Sequence, residues 1–475
     1  MIAGLKPYPE YKESGVPWLG RIPSHWALER AKWLFRKMDR PAGAEDDVVT
    51  CFRDGIVTLR KNRRLRGFTE SLKEIGYQGI RREDLVIHAM DAFAGAVGVS
   101  DSDGKGSPVY SVCQPRSGAN PRYYAQVVRE MARSEWILAL SRGIRERSTD
   151  FRFETFGRQI LPTPPEDEQR AMAQFFAVVN VQCRRLTRAK KKLIALLNEQ
   201  KLAVIHNAVT RGLDPTVRLK ASGISCLGDI PKHWEVQRFR MLVHRIDQGV
   251  SPQAAGFLAD DSSWGVLKSG CVNGGVFRQI EHKQLPKTFE IDPSIVVRIG
   301  DVLISRACGS PKFVGSVGIV DVLNYRLILS DKTFRPVFRP LVNVQFAVRA
   351  MNSPYFRRQV EEAISGAEGL ANNLPLSSLR DFRIAVPPPE EAAAIAASLT
   401  EQVREFDVGI DVAEREIGLI SEYRTRIMAD VVTGQLDVRQ ASRNLPIELE
   451  EPEVSVEADG EDESEGLLEA VADHE

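Results

Sequence analysis

The residues with the plainest chemical potential are cationic. Arg60, Lys61, Arg63, Arg64 and Arg66 crowd into one short run, with Arg53 before it and Phe68 after it. Such a run suits contacts to phosphate, and arginine can also read guanine edges through paired hydrogen bonds. A solvated loop has the same composition, so charge alone leaves both readings open. Further along, Lys268, Arg306 and Lys312 form a second, sparser set, near Arg278, His282 and Lys283. Arg306 and Lys312 rank first in it, because Gly309 lies between them and glycine lets backbone approach a ligand closely.

Catalytic constellations are not found. The sequence has no G-x-x-x-x-G-K-[ST] phosphate loop, no G-x-G-x-x-G opening a helix, and no His or Cys pair at metal-ligand spacing. Asn120-Pro121-Arg122-Tyr123 has the outline of an Asn-Pro-Pro-aromatic adenine methyltransferase site, but arginine stands at the second proline and no cofactor loop precedes it. Glu281-His282-Lys283 has nuclease-like spacing without an upstream Pro-Asp. Both read as coincidence. His25-Trp26 and its copy His233-Trp234 read as packed structural pairs, because a histidine beside a tryptophan is more often hydrogen-bonded in a core than catalytic. The six cysteines (Cys51, Cys113, Cys183, Cys226, Cys271, Cys308) are scattered, which predicts reduced, structural thiols and no zinc knuckle.

The elements that must position the cationic residues show themselves through a repeat. Residues 14–30 (SGVPWLGRIPSHWALER) recur at 222–238 (SGISCLGDIPKHWEVQR) with nine of 17 positions identical. Pro164-Pro165-Glu166-Asp167-Glu168 is answered by Pro388-Pro389-Glu390-Glu391, and Val209-Thr-Arg-Gly-Leu-Asp214 by Val432-Thr-Gly-Gln-Leu-Asp437. The offsets are 208, 224 and 223 residues, so the chain is a tandem duplication of one long unit. On that alignment the second copy has Ala392-Ala393 where the first has Glu168-Gln169. Each copy continues into a variable stretch and then a long helix announced by prolines and carboxylates, which fit a helix first turn. Ile194, Leu197, Val204 and Ala208 recur at the same steps as Ile417, Ile420, Ile427 and Val431, with Lys201 and Arg424 at the skipped heptad position. Either a core-facing stripe or pairing of the two helices accounts for this. A helix from Glu168 to Arg211 would be on the order of 65 Å long, which suits a spacer.

The variable stretches are weakly related too. Glu83-Asp-Leu-Val-Ile87 matches Gly300-Asp-Val-Leu-Ile304, each a turn leading into a buried strand, with glutamate where glycine would be usual in the first. The expected fold class is α/β (α+β), with two globular mixed domains separated by two long antiparallel helices. The expected boundaries are a shared segment at 1–27, a first head at 28–160, a helical spacer at 161–236, a second head at 237–386, a distal spacer at 387–440 and an acidic, disordered tail at 441–475. The helix and the Ile-Pro-x-His-Trp segment are continuous mid-chain but divided between the two ends. The ends, near Gly15 and Leu436, should therefore meet.

Composition agrees. The 475 residues are 43% hydrophobic and 27% charged, which is globular, with no apolar run long enough for a membrane and no secretory leader; a cytoplasmic protein is expected. The net charge of zero conceals asymmetry. Thirteen of the 64 acidic residues lie from Glu448 to Glu475, leaving residues 1–447 with 64 basic and 64 − 13 = 51 acidic groups, a net of +13. That suits a polyanionic partner such as nucleic acid, and equally a merely soluble body.

The ordered duplication of Gly-x-Ile-Pro-x-His-Trp, the Pro-Pro-x-x-Glu-Gln of residues 164–169, the helices ending in Val-Thr-Arg-Gly-Leu-Asp and Val-Thr-Gly-Gln-Leu-Asp, and the two variable regions resemble the specificity subunit of type I restriction-modification systems over residues 8–440. The resemblance implies a non-catalytic DNA-binding chain for phage defence. Two target recognition domains would each read half of a bipartite double-stranded target, with Arg53, Arg60, Lys61, Arg63, Arg64, Arg66, Lys268, Arg306 and Lys312 as candidate contacts. It also implies two methyltransferase subunits and restriction (translocase/nuclease) subunits as partners, held along a coiled coil of the long helices. No cofactor would be held by this chain itself; S-adenosylmethionine, ATP and Mg2+ would belong to the partners, which carry out DNA methylation and cleavage. The alternatives are a catalytic restriction or modification enzyme that uses one of the sites set aside above, and a two-headed DNA-binding regulator or scaffold without modification partners.

Overall fold

The computed structural model describes residues 5–43, 45–63, 76–116, 118–140, 150–364 and 372–445. Arg64, Arg66 and the acidic tail lie outside them. The chain divides into two units, Met1–Lys190 with Arg415–Glu475, and Lys191–Glu414.

In the first unit a four-stranded antiparallel sheet runs in the order Phe35–Lys37, Tyr110–Pro115, Leu85–His88, Val97–Val99. Val86, Ile87 and Val112 are fully buried, as β-branched residues of interior strands should be. The helix Pro121–Arg133 packs on Val97–Val99. Its start follows from local chemistry: Asn120 Oδ1 accepts hydrogen bonds from the Arg122 amide (3.0 Å) and the Tyr123 amide (3.3 Å), with proline at the first turn. The methyltransferase-like tetrapeptide is thus a helix cap.

The second unit repeats this plan. Its sheet has the order Val243–Gln248, Thr333–Phe338, Val302–Ser305, Val317–Ile319, again antiparallel throughout, and Asn343 caps the helix Val344–Met351. In both sheets an aspartate precedes the strand Leu85–His88 or Val302–Ser305 and ties its turn. Asp84 accepts from the Arg81 amide (2.8 Å) and Asp301 from the Arg298 amide (2.9 Å). The residue before each has positive φ, 71° at Glu83 and 88° at Gly300. The glutamate therefore occupies a left-handed position that favours glycine, and Arg122 holds its carboxylate through both oxygens (2.5 and 2.6 Å).

The shared segments form matching small sheets. Tyr11–Glu13 pairs with Arg21–Pro23 and Ala27–Arg30 with Ile160–Thr163 in the first unit. Leu219–Ala221 pairs with Asp229–Pro231 and Glu235–Arg238 with Arg383–Val386 in the second. The ends of the chain meet as expected. Lys6 bridges Asp437, whose amide donates to the Lys6 carbonyl (2.7 Å), and Gln435 Nε2 donates to the Arg21 carbonyl (2.9 Å).

Two long helices, Glu166–Arg211 and Pro389–Val432, link the mixed α/β domains. Within the first unit they run antiparallel: Lys190 pairs with Glu416 (2.6 Å) and Arg424 Nε donates to Asn180 Oδ1 (2.7 Å). Within the second unit Lys201 pairs with Asp407. The predicted stripe serves both suggested purposes. Ile427 and Val431 enter the first unit's core with Trp26, Tyr123 and Phe175, and Ala208 enters the second unit's core with Trp234, Phe346 and Leu399. Ile194, Leu197, Ile417 and Ile420 are only half-buried; Ile420 packs on the first unit's core, and within the second unit Leu197 lies opposite Gly409 of the other helix.

Candidate nucleic-acid interface

The first head's cationic residues sit on and beside a hairpin, Val49–Cys51 with Val57–Leu59, followed by a 3₁₀ turn at Arg60–Asn62. Gly55, with φ of 90°, closes the hairpin, and its missing Cβ leaves room for the Arg129 guanidinium. Arg53 is exposed and pairs with Asp91 (3.2 Å); Lys61 pairs with Asp47 (2.5 Å). Arg60 Nε donates to Thr50 Oγ1 (3.3 Å). Arg63 pairs with Asp54 (2.6 Å) and lies over the Phe52 ring at 4.5 Å. Burial pushes the Asp54 carboxyl up, but hydrogen bonds from Arg63 and the Ile56 amide, with the Arg63 and Arg129 charges, outweigh it and hold the group below the usual aspartate range. Arg53, Arg60, Lys61 and Arg63 thus lie on one hairpin or in the turn that follows it. Arg64 and Arg66 fall outside the described residues.

One residue absent from the sequence reading governs this hairpin. Arg129, on the helix behind it, donates to the carbonyls of Gly95 (2.6 Å) and Arg53 (3.3 Å). Burial, and then the Arg424 charge, press its guanidinium below the ordinary arginine value. Nothing in a sequence distinguishes such an arginine from a surface one.

In the second head the candidates are dispersed. Lys268 lies 3.8 Å from Glu281, and Arg306 Nη1 donates to the Asp331 carbonyl (2.9 Å). Lys312 is exposed on the short turn Pro311–Phe313. His282 is fully buried: its Nε2 accepts from the Ala259 amide (2.9 Å) and its Nδ1 lies 2.6 Å from the Gln279 carbonyl oxygen. The histidine of the Glu-His-Lys triplet is therefore part of the packing, while Lys283 is exposed. No group of acidic, His and Cys residues suited to a metal occurs among the described residues. No described helix is long and apolar enough to cross a membrane.

The duplicated His-Trp pairs are clasps. His25 Nε2 lies 2.7 Å from Glu168 Oε1 and Trp26 Nε1 donates to Glu168 Oε2 (2.9 Å); Tyr8 Oη (3.0 Å) and Arg439 Nη1 (3.1 Å) bind the same buried carboxylate. In the second unit His233 (2.7 Å) and Trp234 (3.1 Å) bind Glu391 in the same way. This corrects the alignment of the helix starts. Glu391, not Ala392, is the counterpart of Glu168, because Val386 occupies the strand position of Thr163 and the offset is 223 here too. The second copy keeps the glutamate and lacks only the glutamine. In the first unit Gln169 accepts from the Asn120 amide (2.9 Å) and donates to the Pro164 carbonyl (2.8 Å).

No family model matches the chain. It is 27% identical over 180 residues to the EcoEI type I restriction enzyme specificity subunit of Escherichia coli, covering 38% of this chain and 30% of that protein. It is 23% identical over 287 residues to the putative MjaX type I specificity subunit of Methanocaldococcus jannaschii, covering 59% and 60% respectively. The chain thus spans less than two thirds of either relative. Among solved structures it matches a chain described under "Structural basis underlying complex assembly and conformational transition of the type I R-M system" with a TM-score of 0.62 at 14% identity, covering 86% of this chain and 98% of that one. At that identity the likeness concerns the fold. In sequence the chain is thus similar to parts of two type I restriction enzyme specificity subunits, and in fold to a chain of a type I restriction-modification system.

Proposed function

We propose that this chain is the DNA-specificity subunit of a type I restriction-modification complex. The observation that carries the reading is the duplication itself: one sheet-and-helix plan occurs twice, with diverged loops, on one pair of long helices. Residues 28–160 and 237–386 are the target recognition domains, residues 161–236 and 387–440 the spacers. Two linked heads gain affinity through effective concentration, so two weak half-site contacts make one selective site. Arg53, Arg60, Lys61, Arg63, Arg64 and Arg66 contact DNA in the first head, and Lys268, Arg306 and Lys312 in the second.

The chain carries recognition and its partners carry chemistry. Two methyltransferase subunits using S-adenosylmethionine, and restriction subunits using ATP and Mg2+, assemble on it in the cytoplasm. Apolar residues left exposed on the helices support a docking role: Leu186 and Leu419 in the first unit, Leu193, Leu196, Val408 and Val412 in the second. Methylation-sensitive sequencing of the host genome with and without this gene tests the proposal. Loss of N6-methyladenine from one bipartite motif is the expected result. An unchanged methylome, together with purification that brings down no methyltransferase, overturns it.

A further inference from the structure

The described chain ends against the first long helix. Ser442 Oγ donates to the Ala171 carbonyl (2.8 Å), and the Leu445 carbonyl accepts from Gln174 Nε2 (3.5 Å). Leu445 itself packs on the first unit's core. The 475 − 445 = 30 residues beyond it contain 13 acidic residues and no lysine or arginine.

The helix that receives this end is charged with the opposite sign. Residues 169–198 contain seven basic residues (Arg170, Arg184, Arg185, Arg188, Lys190, Lys191, Lys192) and no acidic one. Arg184, Arg185 and Arg188 are exposed. A helix turns about 100° per residue, so Arg185, at i+11, points within about 20° of Gln174, and Arg188, at i+14, within about 40°. Both lie along the path that leads away from the last described residue. The neighbouring helix adds to the charge. Burial, and beyond it the Arg184 and Arg133 charges, press the Arg424 guanidinium below its usual value.

We propose that the acidic segment 448–475 docks on the arginine-bearing face of the first long helix formed by Arg184, Arg185 and Arg188. Reach is no obstacle. Arg185 is about 16 Å from Gln174 along the axis, and a coil of ten residues already spans about 17 Å. Tethering gives the carboxylates an effective concentration in the millimolar range, so individually weak exposed pairs act together. A docked tail would also withhold this face from other polyanions, nucleic acid included, and would release it as salt rises.

The test uses full-length chains and a fluorescent peptide of residues 446–475. In the receiving chain, every Asp and Glu of the tail is replaced by Asn or Gln, all at positions after Leu445, the last described residue, and an unchanged melting temperature checks that the body is kept. At about 20 mM salt the peptide should bind this chain saturably, at least tenfold more tightly than it binds the unaltered chain, whose own tail competes. Adding Arg184→Ala, Arg185→Ala and Arg188→Ala should weaken it about tenfold, the summed effect of three exposed pairs; alanine keeps the helix. Absence of binding at low salt, or equal binding with and without the three arginines, overturns the proposal. Binding of a duplex to this face without binding of the peptide overturns it as well, since the face then belongs to DNA alone.

Discussion

At the scale of single residues, the two glutamates that hold the His-Trp pairs differ in what they carry. Glu168 is 2% exposed and receives four side chains, whereas Glu391 is part-exposed and receives two. Removing a buried carboxylate strands every donor aimed at it. Glu168→Ala should therefore cost about 3–5 kcal/mol and Glu391→Ala about 1–2 kcal/mol, read as a markedly larger fall in melting temperature for the first. Equal falls would mean that the first clasp is no tighter than the second. The paired turn positions make a sharper contrast. Gly300→Ala should destabilise by about 1–2 kcal/mol, because alanine is disfavoured at φ of 88°. Glu83→Gly should be neutral or slightly stabilising, since the strain it removes matches the exposed Arg122 pair it gives up. A substantial loss in Glu83→Gly would show that the ion pair, not the backbone, sets the turn. For recognition, Arg53→Ala should weaken duplex binding and reduce the salt slope by about one. Titrations at several salt concentrations decide it, and an unchanged slope removes Arg53 from the phosphate contacts.

At the scale of elements, the long helices are the part whose function follows most directly from geometry. A helix advances about 1.5 Å per residue, so one heptad adds about 10 Å, close to three base pairs at ~3.4 Å each, and preserves which face meets the neighbour. Matched one-heptad insertions after Gln200 and at the facing stretch near Asp407 should lengthen the unread spacer of the methylated motif by about three base pairs while leaving both half-sites unchanged. Methylome sequencing of a strain carrying the lengthened chain checks this; an unaltered spacer would mean that something other than helix length sets it. The helices were also the most legible elements. Prolines and carboxylates marked their starts, and matching apolar steps marked their buried face. The alignment of the second start failed by one residue because the extra proline of Pro387-Pro388-Pro389 invites a shifted match. Only the strand register, with Val386 in the place of Thr163, fixes Glu391 as the partner of His233 and Trp234.

At the scale of the whole molecule, the duplication predicts modular specificity. Replacing residues 237–386 with the corresponding region of a relative should change one half of the methylated motif and leave the other half as it was. A change in both halves would show that the heads do not read independently. The tandem plan was visible from nine identities in 17 residues, but the identical strand order of the two heads was not, since their strands are short and share few residues. The cationic run of the first head was visible as a run. Its organisation by Arg129 was hidden, because a guanidinium that reaches carbonyls across a fold leaves no local pattern.

The meeting of Lys6 with Asp437 gives the chain, in effect, no fixed beginning. Joining Asp437 to Lys6 and opening the chain in the exposed turn around Asp214 and Thr216 would keep the second clasp, and Tyr8, His25 and Trp26 of the first, while exchanging the order in which the heads are synthesised; Arg439, beyond the junction, would be lost from Glu168. Sequence order and spatial role are thus uncoupled. What the ribosome makes first need not be what the molecule uses first, and a rearranged gene could encode the same reader.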